Sequence, residues 1–208
     1  DMKRLLAYTS ISHMGFVLLA LYAGNILTLQ GLMIMMLAHG LSSAALFIMC
    51  GQVYERLHTR DLRKMGGIRG QFQYLSFFLM FFVAALVGIP GLGNFIGEFL
   101  ILMGSFGQFP TFTILAAISL VMAGLYGLIL IHKALFGTPN EEQKHHYTLP
   151  LKDLNAREIT ILLICAFGLL WLGIYPQSFL DISNSSMAWL ANSYIPVQDV
   201  VDVTQQVI

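Results

Sequence analysis

Charge is what this sequence has least of: 11 Lys and Arg and 11 Asp and Glu among 208 residues, against 57% hydrophobic side chains and a mean hydropathy of +0.73. That balance excludes an ordinary water-soluble domain. With a formal net charge of zero there is also no basic field to attract a nucleic acid, so that class of partner is set aside. Cysteine is nearly absent. Cys50 and Cys165 lie far apart in apolar stretches, which excludes a disulfide framework, a redox dithiol or a thiolate metal site and leaves both as packing residues. The start, Asp1-Met2-Lys3-Arg4, lacks the short apolar core and small-residue cleavage site of a secretory signal, and Asp1 ahead of the first Met points to an N-terminally truncated sequence.

What is present is long apolar runs. No formal charge lies between Arg4 and Glu55, and between Arg69 and Lys133 there is only Glu98. Runs of this length exceed the roughly 20 apolar residues that span a bilayer. With glycine, proline and polar clusters as boundaries, five spans are expected near residues 5–23, 30–54, 74–106, 111–131 and 158–180, followed by a tail over 181–208. All five read as helices, since period-2 alternation is missing and the runs are too long for barrel strands of about 10 residues. The expectation is an all-α membrane protein.

The basic residues test this topology independently, because Lys and Arg near span ends favour the cytoplasmic side. Lys3, Arg4, Arg56, Arg60, Arg63, Lys64, Arg69, Lys133, Lys144, Lys152 and Arg157 all fall on one side of the alternation. The loops at 24–29 and 107–110 and the tail hold none, which places them outside. The partition requires residues 74–106 to cross once, although one helix of that length would extend about 50 Å against a hydrocarbon core of about 30 Å. The stretch Gly88-Ile89-Pro90-Gly91-Leu92-Gly93-Asn94 supplies a break: Pro90 removes a donor, while Gly88, Gly91 and Gly93 permit non-helical dihedrals. Backbone groups freed there must be buried against protein or line a wet cavity, as where secondary transporters handle ions.

Glu98 is the sharpest chemical signal, an acid alone in the 63 residues from 70 to 132. It lies about 13 Å from the loop at Gly107, near the midplane, where a charged group costs about 2.5–3.5 kcal/mol on insertion scales. Such a group loads and releases a proton, or else is a protonated structural acid. His13 and His39 reach similar depth, about 12 and 14 Å from the ends of their spans. An imidazole relays protons by accepting on one nitrogen and donating from the other, and serves equally as an interhelical hydrogen-bonding group. Ser42 and Ser43 share the helical face of His39, and Thr9 that of His13. Glu98, His39 and His13 would thus form a row in the membrane plane. With helix axes about 8–10 Å apart, direct contacts are not expected and waters or further side chains would complete it. His132 and Lys133, at the inner end of the fourth span, could couple the row to the cytoplasm, with snorkelling the plainer role for Lys133.

Other signals carry less. Gly91-x-Gly93-x-x-x-Gly97 is one residue too long for a dinucleotide fingerprint and has no strand-turn-helix around it. Ser12 and His13, adjacent on a helix, face different ways and form no nucleophile pair. His145 and His146 beside Glu141 and Glu142 lack metal-ligand spacing, and Met33, Met35 and Met36 are packing or lipid contacts.

Three stretches together are specific: 1–15 (DMKRLLAYTSISHMG), Ala38-His39-Gly40, and Pro90-Gly91-x-Gly93-Asn94-Phe95-x-Gly97-Glu98-Phe99. From Asp1 to about Pro176 the chain resembles the subunit M family of NADH:quinone oxidoreductase (respiratory complex I), called chain 4 in mitochondria. The resemblance implies a fold of two inverted five-helix repeats, this chain being the second repeat plus the last helix, with the third of its five helices broken near Pro90. By position, it implies that Glu98 is the protonatable acid of the second broken helix and that His13 and His39 lie on the hydrophilic axis. An acid rather than a lysine at 98 favours subunit M over its sister subunits. The first repeat, with its glutamate and lysine pair, is not in these residues. The resemblance further implies a subunit of a translocase that couples electron transfer from NADH to quinone to proton pumping. No cofactor is expected in this chain, with NADH, FMN, iron-sulfur clusters and quinone in other subunits. Implied partners are neighbouring antiporter-like subunits, the long lateral helix of a sister subunit and the lipid bilayer of a bacterial inner membrane. A subunit of a multi-subunit Na⁺(K⁺)/H⁺ antiporter or of a membrane-bound hydrogenase is the alternative, and a purely structural membrane subunit a third.

Overall fold

The chain starts as a helix because Asp1 caps it: its carboxylate accepts from the amide of Lys3 at 2.9 Å and from that of Arg4. Helix α1 (Met2–Ala23) stops at Gly24, left-handed at φ 62°. Asn25 then starts α2 (Ile26–Leu57), accepting from the Thr28 amide at 3.0 Å while donating to the Gly104 carbonyl at 2.7 Å. At 32 residues α2 is about 48 Å long and overshoots the expected 30–54 at both ends. The computed structural model describes residues 1–137 and 152–193. His145, His146, Glu141, Glu142 and Lys144 lie outside the described residues.

After α2, a short turn α3 (Ile68–Gln71) leads into α4 (Gln73–Leu86) and α5 (Gly93–Ser105). Next comes α6 (Pro110–Ile131), with proline in its first turn, ending in one π-helical turn over His132–Phe136. Helix α7 (Ala156–Ile174) opens with a capping box between Asn155 and Glu158. Among the described residues every regular element is helical. Four are long and apolar enough to cross a membrane: α1, α2, α6 with its π turn, and α7.

Residues 74–106 are not one continuous helix. Helices of 14 and 13 residues, each about 20 Å long, flank a turn at 87–92. Five spans result only if these two halves count as one crossing. In the turn Gly88 (φ 76°) and Gly91 (φ 98°) are left-handed, and Pro90 separates the two ladders. Amide groups past the end of α4 still find partners, Gly88 donating to Ala85 and Ile89 to Ala84, both at 3.2 Å.

The last span also departs from expectation. It ends at Ile174 rather than at 180, and Gln177–Ser193, much of it expected as tail, forms a further helix, α8. Polar residues scattered through Gln177-Ser178-Phe179-Leu180-Asp181 hide its period. It is anchored at its start by Trp171, whose indole donates to the Ser178 hydroxyl at 3.0 Å, and to α2 by Gln30 and Asn184 at 3.3 Å.

Packing centres on α2, which touches α1, α4, α5, α7 and α8. One core joins α2, α4 and α7 through Met49, Val53, Leu75, Leu79, Phe82 and Leu162. The other joins α1, α2 and α5 through Phe16, Ala20, Leu32, Met35 and Ile101. Helix α6 leaves Val121, Leu125 and Leu128 exposed, a surface suited to lipid or other helices rather than to water.

Candidate functional site: a buried acid and two histidines at a broken helix

The site begins with glycine. Helices α2 and α5 approach so closely that a Cβ on Gly97 would lie 2.8 Å from the Met35 backbone, and one on Gly31 2.8 Å from Leu100 Cβ. Small residues at such contacts let helix backbones approach more closely than the usual axial spacing. Asn94 locks the arrangement: its amide nitrogen donates to the Ala85 carbonyl at 2.7 Å, exposed by the end of α4, and to the Ser42 hydroxyl at 3.1 Å. One fully buried side chain therefore ties both halves of the broken helix to α2.

Glu98 follows one turn after Asn94 and is 2% exposed. Its Oε1 stands 3.2 Å from His13 Nδ1, an ion-pair distance without the alignment of a hydrogen bond. The His13 ring in turn lies 4.9 Å from that of His39, tilted by 45°. The far end of the row is the Ser43 hydroxyl, 3.1 Å from His39 Nε2. Direct contact departs from the sequence expectation, and it accompanies the glycine-permitted approach of α5 to α2.

The structure thus joins Glu98, His13 and His39, from α5, α1 and α2. It does not bring His132 or Lys133 to them: both are exposed in the π turn at the end of α6. Thr9 does not serve His13 either, because its hydroxyl donates to the Leu6 carbonyl at 2.7 Å. Ser42 turns to the His39 carbonyl and to Asn94, leaving Ser43 alone on the ring.

Two contributors are not legible in the sequence. Gly88 reads there only as part of the break, yet it lies against the Glu98 carboxylate. Tyr126 of α6 has a buried hydroxyl within electrostatic reach of Glu98. A single phenol in the charge-free second half of α6 is the available signal. His13 Nε2, Glu98 Oε1, Asn94 Oδ1 and the Tyr126 hydroxyl are buried and make no hydrogen bond within the described residues. Unsatisfied polar atoms of this kind are rare in a static core and call for a functional explanation. Among the described residues no cluster of His, Cys, Asp and Glu has metal-binding geometry.

Fold and site define an all-helical integral membrane protein organised around a broken helix that carries a buried acid. The chain belongs to the NADH:quinone oxidoreductase/Mrp antiporter family, whose transmembrane region matches residues 1–125. It is 51% identical to NADH-quinone oxidoreductase subunit M of Pseudomonas aeruginosa, over 90% of this chain and 36% of that one. Identity to the Escherichia coli K12 subunit M is 47%, covering 93% and 38% of the two chains. Among solved structures, a chain of respiratory complex I from Thermus thermophilus with bound NADH superposes with a TM-score of 0.84 at 29% identity, over 92% of this chain and 39% of that one. The chain therefore spans less than two fifths of the length of these relatives.

Proposed function

We propose that this chain is part of a proton-translocating membrane subunit of NADH:quinone oxidoreductase, with Glu98 as the intramembrane proton carrier. The observation that carries this reading is the Glu98 carboxylate 3.2 Å from His13, both about 2% exposed, beside a helix break. A proton on Glu98 that moves to His13 Nδ1 leaves a carboxylate beside an imidazolium. At an effective dielectric of 20 these charges attract by about 5 kcal/mol, while removing each ion from water costs several kcal/mol. Once charged, His13 holds a second proton on Nε2, which it can release towards His39, and Ser43 continues the row.

In the proposed assembly NADH, FMN, iron-sulfur clusters and quinone belong to other subunits, and electron transfer there changes charge and hydration along the row. Neighbouring antiporter-like subunits and the lateral helix of a sister subunit would cover the exposed faces of α6 and α7. The α4 and α5 halves would cross together as one span in a bacterial inner membrane, with the Arg-rich loop after α2 cytoplasmic and α8 outside. Thiol labelling of Thr59→Cys and Gln108→Cys in a cysteine-free background should reach the first from the cytoplasmic side only and the second from the outer side only. Labelling of both from one side would overturn this topology.

The test of function is the full-length subunit in its complex, with quinone reduction and proton pumping measured together in vesicles. Glu98→Gln should abolish both without loss of assembly, while Glu98→Lys retains part of each. Full pumping by Glu98→Gln would make the acid structural. A Na⁺(K⁺)/H⁺ antiporter subunit is the second reading, since the family includes such proteins. Identities of 47–51% to oxidoreductase subunits favour the first. Quinone-dependent pumping that needs no Na⁺ would decide between them.

A further inference from the structure

Gly88 occupies the break with a left-handed φ of 76°, and a Cβ built on it would overlap Glu98 Oε2 and stand 3.3 Å from its Cδ. The Cα hydrogen that a side chain would replace points at that oxygen. The carboxylate is therefore held from two sides, with Oε1 facing His13 and Oε2 seated on the bare backbone of the turn. Neither neighbour makes a hydrogen bond to Oε1, so close packing, not bonding, aims that oxygen.

We propose that Gly88 is a positioning residue of the relay: the side-chain-free face of the break is the wall that keeps the Glu98 carboxylate against His13. A methyl group there would have to expel the carboxylate, and the space available at its other oxygen is already taken by the imidazole. The inference deepens the proposed role of Glu98 and rests on it. It also assigns the break a second duty beyond shortening the span, because a right-handed residue at 88 would present its side chain differently and a continuous helix would have no cleft.

Gly91 provides the control. It is also left-handed, at φ 98°, but a Cβ there meets nothing within 4 Å. Alanine at 91 thus carries the backbone strain of a left-handed residue without the clash. The experiment uses the full-length subunit in its complex, with assembly, coupled proton pumping and the pH profile of quinone reduction measured for Gly88→Ala, Gly91→Ala, Glu98→Asp, Glu98→Gln and the Gly88→Ala/Glu98→Asp double variant. Gly88→Ala should lower pumping at least tenfold and displace the pH profile in assembled complex, whereas Gly91→Ala reports strain alone and keeps the wild-type profile. In the shorter Glu98→Asp background the clash is gone, so adding Gly88→Ala should change pumping less than twofold. Like behaviour of the two glycine variants, or an undiminished Gly88→Ala effect in the Glu98→Asp background, overturns the positioning role. If Gly88→Ala does not assemble, recovery of assembly by the shorter acid supports the inference and failure to recover refutes it. Pumping by Glu98→Gln removes the relay reading and this inference with it, while an inactive Glu98→Gln variant with matching glycine variants removes the inference alone.

Discussion

Removing Arg56 should loosen the Arg-rich end of the protein more than removing any other single charge on that side. Arg56 is 9% exposed, and its guanidinium donates to three carbonyls, those of Gln52 and Lys152 at 3.1 Å and Asp153 at 3.2 Å, and to Glu158 Oε2 at 3.1 Å. Glu158 is at the same time the capping acid of α7, accepting from the Asn155 amide at 2.7 Å. Asp153 caps α4 by accepting from the amides of Tyr74 and Leu75 at 2.8 and 3.2 Å. One side chain thus holds the ends of α2 and α7 together and fixes the loop that caps α4. Breaking a buried ion pair costs about 3–5 kcal/mol, because the remaining charge is left without compensation. Arg56→Ala should therefore lower the thermal midpoint of the purified complex, or release the subunit earlier, by an amount matching a loss of that size. Arg56→Lys should recover only part, since an ammonium cannot reproduce the fork. The comparison variant is Arg63→Ala. Its partner Asp61 is at 2.8 Å, and the Arg63 hydrogen bonds hold the Asp61 carboxyl well below the usual carboxylate range, yet Arg63 is 82% exposed and such pairs contribute little. Equal lability of Arg56→Ala and Arg63→Ala would refute the clamp.

Two further outcomes follow from the α2–α5 contact. Asn94→Leu removes one of two donors to the Ala85 carbonyl, which keeps its 3.2 Å bond from the Gly88 amide, and the donor to the Ser42 hydroxyl, a loss of about 0.5–1.5 kcal/mol per hydrogen bond. It should lower both the thermal midpoint and pumping, and a variant with wild-type values of both would show that the break needs no such tie. Gly97→Ala places a methyl 2.8 Å from the Met35 backbone, and overpacking of this kind costs about 1–3 kcal/mol. It should reduce the fraction of subunit found in assembled complex, while Gly15→Ala, where a Cβ meets nothing within 4 Å, should not.

The long apolar helices are legible because composition alone sets them, and the break because Pro90 between left-handed glycines leaves a chain few other options. Glu98, His13 and His39 stand out as rare polar groups in apolar surroundings. Their direct contact does not, because it depends on how near α1, α2 and α5 come to one another, and only the α2–α5 distance is traceable to particular residues, Gly31 and Gly97. Gly88 is visible as a turn former but not as the wall beside the acid. Arg56 reads as one basic residue among several, since all its partners but the Gln52 carbonyl lie 96 to 102 positions away and nothing local marks them. Helix α8 is hidden by its serines and asparagines, which favour turns when taken singly.

The break and the acid belong to one device. Ending α4 at Leu86 frees carbonyls that no lipid could satisfy, and a buried unpaired backbone group costs several kcal/mol in hydrocarbon. Turn amides meet those of Val83, Ala84 and Ala85, and Asn94 adds a second donor at Ala85 and through Ser42 fixes α5 on α2 at the turn that also carries His39. Four residues on, the same helical face presents Glu98, so the bond that repairs the break also sets the height and rotation of the acid. The turn contributes Gly88 on the other side. A straight helix over 74–106 would satisfy its own carbonyls and need neither Asn94 nor Ser42, but it would have no left-handed glycine to seat the carboxylate. The buried polar residues around the break therefore meet one requirement, an ionisable group held in place by backbone that cannot be helical.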